Sequence, residues 1–252
     1  MSKLWLIEGL PGSGKTTFAE TIAATAGCTF YSEIDASHPV DVHDVYWVEA
    51  DGMTEGEVID QDGTGRFIRY RPNERRSGVD VYELPFDVHV ELMIGRWRRF
   101  VERVKGEDGT YVFECAFLQN PFTIGMVAQD VPNKQIEAYI ETVADLLAPL
   151  DPTVVYLETV DVPTVFRDVY AERPTAWQRG FVEYYTTRAY AQANGLGGLE
   201  GTIQLLKDRQ RRELSLLERL PVRTIRLVND ERGALEALDV LRSKEEVNHA
   251  DT

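Results

Sequence analysis

Near its start the chain runs Leu4-Trp5-Leu6-Ile7 and then GLPGSGKTT, Gly9 through Thr17, before a segment to Ala26 of helix-compatible composition. Few folds accommodate a buried strand that ends in a cluster of glycines and passes directly into a helix. Glycines at 9, 12 and 14 allow positive φ and close backbone approach, so successive N–H groups can turn inward toward an anion at the positive end of the following helix. The spacing matches G-x-x-x-x-G-K-[ST] at Gly9, Gly14, Lys15 and Thr16, the pattern of a phosphate-cradling loop. Gly9, Pro11, Gly12, Ser13, Gly14, Lys15, Thr16 and Thr17 are therefore the expected nucleotide-binding residues. Within that set Lys15 is expected to reach the β/γ-phosphates as a mobile point charge and Thr16 to offer its hydroxyl to Mg²⁺.

Apolar, β-branched runs recur at Leu4–Ile7, Thr29–Tyr31, Tyr111–Phe113, Val154–Leu157 and Thr224–Val228, with helical patterning between them. This alternation predicts an α/β fold, a five-stranded parallel sheet with helices on both faces. The whole chain, 1–252, reads as a single domain, with an insertion over 38–84 after the second strand that a minimal core does not need. The insertion is acidic in its first half and carries Arg66, Arg69, Arg71, Arg75 and Arg76 in its second. Asp62-Gly63, between Glu57-Val58-Ile59 and Arg66-Phe67-Ile68, predicts a hairpin that sets an acidic strand beside a basic one. Such a segment serves either mutual neutralisation or a substrate-binding lid. After Pro85, Phe86, Val90, Met93, Trp97, Phe100, Val101 and Val104 step by three and four and predict one long amphipathic helix. Arg96, Arg99 and Arg103 share one flank of it, and Arg98 is set to pair with Glu102. Arg96 is the flank residue read as substrate-binding.

Charge excludes one class of partner. Lys and Arg number 27 against 42 Asp and Glu, a net charge of −15, which repels nucleic-acid backbones in general but leaves room for a local anion pocket. The short apolar run at the start is no signal peptide and no run of 18 apolar residues occurs, so no membrane is expected and the chain reads as cytoplasmic. The expected partner is a small-molecule substrate, and a homodimer is compatible with the composition. Cys28 and Cys115 lack metal-ligand spacing and read as buried free thiols, while the polar tail Arg242–Thr252 is expected to fray.

Candidate chemistry follows the strands. Beyond the second strand, Glu33 and Asp35 lie where ligands meet a parallel sheet, each able to accept a proton from a substrate hydroxyl. Asp35 or Ser37 can instead cap a turn. His38, before Pro39, reads as conformational. Glu114 closes the apolar strand Thr110–Phe113 and can hold Mg²⁺ through water or position the attacking group. Glu158 has the same form after Val154–Leu157, but Glu114 lies on the strand expected beside the loop. Gln119 and Asn120 offer amides at the same edge, suited to reading a polar substrate. Asn194 to Gly201 supplies a glycine-rich hinge ahead of a helix expected from Thr202 to Leu220.

This order of loop, carboxylate after the second strand, insertion, Phe113-Glu114 and Val155-Tyr156-Leu157-Glu158 resembles the P-loop kinases of nucleosides, nucleotides and small metabolites. The resemblance spans most of the chain. It implies a general base at Glu33 or Asp35 and lid arginines, which hold the phosphates, at Arg167 and Arg173. Two departures stand out: Glu114 is followed by Cys115 instead of arginine, and the lid arginines are six residues apart instead of closer together. The implied activity is phosphoryl transfer from ATP or GTP, with Mg²⁺, to a hydroxyl of a small polar metabolite, nucleoside or antibiotic. The alternatives are an NTP-hydrolysing switch or accessory ATPase and a nucleotide-binding protein without turnover. Asn133-Lys134-Gln135-Ile136 lacks the aspartate of a guanine-reading N-K-x-D, which counts against a GTPase.

Overall fold

In chain order the structure, a computed structural model that describes residues 3–228, forms β1 (Lys3–Gly9), α1 (Lys15–Ala26), β2 (Thr29–Tyr31), β3 (Val45–Glu49), β4 (Glu57–Gln61), β5 (Gly65–Arg69) and β6 (Val79–Asp80). There follow α2 (Phe86–Val104), β7 (Thr110–Glu114), the short α3 (Gln119–Pro121), which runs into a π-helical segment Phe122–Ala128, and α4 (Asn133–Leu147). The chain continues through β8 (Thr153–Glu158), α5 (Val162–Glu172), α6 (Thr175–Thr187), α7 (Ala189–Ala193), α8 (Gly198–Leu217) and β9 (Arg223–Val228). The tail Arg242–Thr252 lies outside the described residues.

Leu4 and Leu6 of β1 enter one hydrophobic cluster, Trp5 and Ile7 another. A strand apolar at consecutive positions has to be covered on both faces. It lies at the centre of an all-parallel sheet ordered β2-β7-β1-β8-β9, with α1 packed on the Trp5 and Ile7 side and α2, α4 and α8 on the other. All five strands read from the sequence are in this sheet, and with the loop at the carboxyl end of β1 it is a P-loop kinase-like α/β fold. The helix expected from Thr202 starts earlier, at Gly198, and ends at Leu217.

The insertion forms a second, antiparallel sheet ordered β4-β5-β3-β6. The β4–β5 hairpin turns at Asp62, whose Oδ1 accepts from the N–H groups of Thr64 (2.8 Å) and Gly65 (3.1 Å). Strands β3 and β6 were not legible in the acidic first half and the short Val79-Asp80 segment. Glu57 faces Arg69, and Gln61 faces Arg66. The insertion's arginines serve its own fold: Arg66 donates to the Gly52 carbonyl, Arg69 to that of Ala36 (2.6 Å), and Arg76 to the Tyr46 hydroxyl (2.8 Å). Val40, Val42, Val45, Trp47 and Phe67 join the main core, so the insertion is packed onto it.

Helix α2 carries the expected stripe, and Arg96, read as substrate-binding, makes its contacts within the protein. It is buried and pins the insertion to the core. Its Nε donates to the Val40 carbonyl (2.9 Å), Nη2 to that of Pro39 (3.0 Å) and Nη1 to Asp60 (2.7 Å), and the guanidinium lies over the Phe67 ring. Arg99 shares Asp60 at 2.6 Å, whereas Glu102 accepts from Lys105 (2.5 Å), not from Arg98.

A second buried pair lies under the sheet. Arg209 of α8 donates through Nε to Glu213 (2.6 Å) one turn on, and Tyr156 of β8 donates its hydroxyl to the other oxygen of that carboxylate (2.6 Å). Arg209 and Glu213 are both fully buried, so removing one partner leaves an uncompensated charge. Arg209→Met should lower stability by about 3–5 kcal/mol in urea unfolding, and adding Glu213→Leu should recover most of that loss. Equal losses in the single and double variants would show that the stranded charge is not the cause.

Candidate active site

The loop after β1 has the geometry its glycines permit. Gly12 and Gly14 have φ of 86° and 81°. A Cβ on Gly12 would meet Val169 of α5 at 2.5 Å, and one on Gly9 would meet the Leu157 carbonyl at 2.7 Å, so neither position tolerates a side chain. Ser13 is buried and its hydroxyl has no partner among the described residues, a donor left for a ligand in the loop. Pro11 is half-buried and Thr17 is exposed in the first turn of α1.

Lys15 is buried and donates to the Leu10 carbonyl at 3.3 Å. Burial disfavours its charge, yet Cys115, Glu33 and Glu114 together raise its pKa. Burial pushes the Cys115 thiol itself well up, so the two carboxylates are the charges that hold the ammonium at neutral pH. The Thr16 hydroxyl donates to Glu114 at 2.5 Å, and burial, opposed by that bond and by Lys15, raises the pKa of Glu114. Glu158 is occupied by Arg226 of the neighbouring β9 at 2.8 Å. Among the described residues no group of three His, Cys, Asp or Glu could cage a metal. Mg²⁺ needs no such cage, because it keeps several waters and takes one or two protein oxygens beside substrate phosphates, and Thr16 with Glu114 fits that donor set.

Cys115, just after β7, has a left-handed φ of 66° and donates its N–H to the Ile7 carbonyl at 3.1 Å, which turns the chain out of the strand. The next segment is then caught by Glu8. This carboxylate, fully buried on β1, accepts from the N–H groups of Phe117 (2.7 Å) and Gln119 (3.1 Å). Burial outweighs those bonds and raises its pKa to about 7. Sequence reading passed over Glu8, although a carboxylate inside an apolar strand, directly before Gly9, was the available signal.

Thus placed, Gln119 donates to Glu33 at 2.5 Å. Asn120 donates to Asp41 (3.1 Å) and to the Tyr82 hydroxyl (3.2 Å), and Tyr82 donates to Asp41. Asp41 and Tyr82 were not anticipated; both lie in or beside the insertion, whose folding back is invisible in one sequence. Asp35 instead accepts from the Ser37 N–H (2.8 Å) and hydroxyl (2.7 Å), bonds that lower its pKa. His38 accepts at Nδ1 from the Val40 and Asp41 N–H groups, so its ring is neutral, and burial holds its pKa down at about 3. The arginines of α5 lie apart from this cluster. Arg167 pairs with Glu200 of α8 at 2.8 Å, about 200° around the helix from Val169. Arg173 is exposed at the end of α5, over the Trp177 ring.

No protein-family model matches the chain, and no curated protein matches it. Solved structures resemble it over nearly its whole length. The thymidylate kinase from Candida albicans is 12% identical over 97% of this chain and 92% of its own, with a TM-score of 0.48. The deoxyadenosine kinase from M. mycoides with bound dATP is 12% identical over 96% and 100%, with a TM-score of 0.46. The shikimate kinase from Acinetobacter baumannii is 17% identical over 97% and 94%, with a TM-score of 0.39. Among the described residues, no helix is long and apolar enough to cross a membrane.

The Glu8 environment has a consequence for stability. A carboxyl whose pKa is higher folded than unfolded binds its proton preferentially in the native state, so it stabilises at low pH and that contribution is lost as pH rises toward the folded value. For Glu8 the window runs from the ordinary carboxyl value of 4.5 to about 7. His38 and His89, with pKa values lowered by burial to about 3 and about 4, pull the opposite way there, because their unfolded forms bind protons first. Glu8→Gln should therefore gain stability relative to the parent as pH rises from 4.5 to 7. A difference in unfolding free energy that stays flat with pH would place the titration elsewhere.

Proposed function

We propose that this protein is an ATP- and Mg²⁺-dependent phosphotransferase acting on a hydroxyl of a small polar molecule. The observation that carries the reading is the convergence of Lys15, the Thr16–Glu114 pair and the Glu33–Gln119 pair at the carboxyl edge of one parallel sheet. Phosphoryl transfer needs positioning and charge compensation more than covalent chemistry, and these residues supply both.

In this reading the loop N–H groups and the Ser13 hydroxyl bind the phosphates of the nucleotide, and Lys15 compensates charge on the transferred group. Thr16 and Glu114 would hold Mg²⁺, which when bound neutralises charge on the β- and γ-phosphates. Glu33 is the base. One of its oxygens accepts from Gln119, which fixes the carboxylate, while the other is left to take the proton of the attacking hydroxyl. Asp35 is the poorer candidate, because two bonds from Ser37 commit it to a turn and lower its basicity. Arg173, exposed at the end of the helix that touches the loop, is assigned to the phosphates, whereas Arg167 has Glu200 as its partner.

Substrate-stimulated ADP release, screened over nucleosides, nucleotides, sugars and aminoglycosides, tests the reading. With an active acceptor, Lys15→Ala should lose turnover by orders of magnitude, and Glu33→Gln should lower kcat by about 10²- to 10⁴-fold with acceptor binding largely kept. Asp35→Asn should leave kcat near the parental value. A Glu33→Gln enzyme of full activity would remove the assigned base, and ADP release that no acceptor stimulates would favour hydrolysis or simple nucleotide binding. Arg173→Ala should lower kcat more than it raises KM for ATP, since the charge it meets grows in the transition state; an unchanged kcat would make Arg173 a surface residue.

A further inference from the structure

The side chains beyond the phosphate loop carry more information than the presence of a base. Gln119 and Asn120 are consecutive, and each is coupled to a different carboxylate, Glu33 and Asp41. Glu33 lies within electrostatic reach of Lys15 and Glu114 on one side and of Asp41 and Tyr82 on the other. Glu33, Tyr82, Gln119 and Asn120 are all half-buried, so they form a wall with surface left for a ligand. The wall presents the Glu33 carboxylate, two amides and a phenol, with the Asp41 carboxyl buried behind Asn120 and Tyr82.

Three of the arginines hold carboxylates, although Arg209 keeps one buried nitrogen without a partner among the described residues. Arg96 has all three nitrogens engaged by Pro39, Val40 and Asp60. Arg188, between α6 and α7, makes a bidentate pair with Glu83 (2.6 and 2.9 Å), and Arg209 is held by Glu213. Arg69, Arg99 and Arg103 line a separate cleft of about 710 Å³ between α2 and β4, to which neither Glu33 nor Asp41 contributes. Lys15 faces the nucleotide phosphates in the reading above. An acceptor that brought its own carboxylate or phosphate to this wall would meet the Glu33 carboxylate and the carboxyl of Asp41 behind it, while Arg96 and Arg188 are already held by Asp60 and Glu83.

We infer that the acceptor is a non-anionic polyhydroxylated molecule, uncharged or amine-bearing, whose hydroxyl or ammonium groups donate to Glu33 and Asp41, and that phosphorylated or carboxylated acceptors are excluded. This rests on the phosphotransfer reading of the same site and narrows it. Asp41 is the residue that carries the discrimination. Its Oδ1 is taken by Tyr82 and the His43 N–H, while its Oδ2 receives Asn120 and, as a carboxylate oxygen, can accept a further bond. Like-charge juxtaposition at a desolvated contact costs several kcal/mol, enough to decide between otherwise similar molecules.

Binding to the full chain saturated with ADP and Mg²⁺, measured by calorimetry, separates this inference from the kinase reading because no transfer is needed. The probes are the pairs adenosine against AMP and glucosamine against gluconate, with kanamycin as a polycationic member. At least one uncharged or cationic probe should bind, and any anionic counterpart should bind at least about tenfold more weakly. Asp41→Asn should weaken the cationic probe most and leave ADP affinity unchanged. Should that variant fail to fold, Gln119→Lys, at a half-buried position, should move the preference toward the anionic member. A parent protein that prefers the anionic member of a pair overturns the inference while leaving phosphotransfer intact. Binding of ADP with none of the probes at millimolar concentration also overturns it. Binding of an uncharged or cationic probe that ATP never phosphorylates upholds the inference and removes the kinase reading.

Discussion

A carboxylate taken out of water on the central strand organises this molecule. Glu8 stands one residue before the phosphate loop, and among the described residues its hydrogen-bond donors are backbone N–H groups of the segment that leaves β7. Burying that group without partners would be prohibitive, so the chain after Cys115 has to come back over β1 and begin a helix there. The left-handed turn at Cys115 is the local adjustment that makes this return possible. Gln119 and Asn120 then follow at fixed positions, and through them Glu33 and Asp41 are oriented. A single buried group thus links the nucleotide end of the site to the acceptor end.

The same logic of committed charges explains the insertion. Four strands with so many charges would be a poor independent unit, yet their apolar faces share the main core and Arg96 bolts them to α2. A guanidinium suits this position, because its planar fork can meet two carbonyls and a carboxylate at once while lying flat on an aromatic ring. Anchoring the insertion fixes Pro39, Val40 and Asp41 in one short stretch, and Asp41 is the residue that reaches the acceptor wall.

The strands of the main sheet were legible because parallel strands buried on both faces are written as continuous apolar runs. The loop was legible because glycine spacing and the Lys15-Thr16 pair leave little freedom. Glu33 and Asp35 could not be told apart at that level, since both follow the strand at short range; only the Ser37 turn at one and the Gln119 amide at the other, 86 residues away, separate them. Asp41, Tyr82 and Glu8 stayed hidden for a related reason. Their meaning depends on which distant N–H or O–H arrives beside them, and a hydrophobic pattern does not encode that. Arg96 illustrates the converse: helical periodicity placed it on the correct flank, but the flank was covered by a segment whose fold the pattern did not reveal.

The balance of charge in the whole chain and in the site points in one direction. With a net charge of −15 the molecule repels anions at a distance, although salt screens exposed charges beyond about 10 Å at 0.1 M. Inside the site screening is weak, and Lys15, Glu33, Asp41 and Glu114 interact at close range, with burial raising the pKa of Asp41 and of Glu114. In the proposed reading a nucleotide would overcome the repulsion through the cluster of loop N–H groups, one ammonium and the Thr16–Glu114 pair, all gathered at a single helix terminus. Nothing comparable exists on the Glu33–Asp41 side among the described residues. A site that concentrates its anion-binding capacity at one end and its hydrogen-bond acceptors at the other is polarised along the line between donor and acceptor. On the proposed phosphotransfer reading, that polarity would orient an attacking hydroxyl toward the nucleotide before any lid residue contributes.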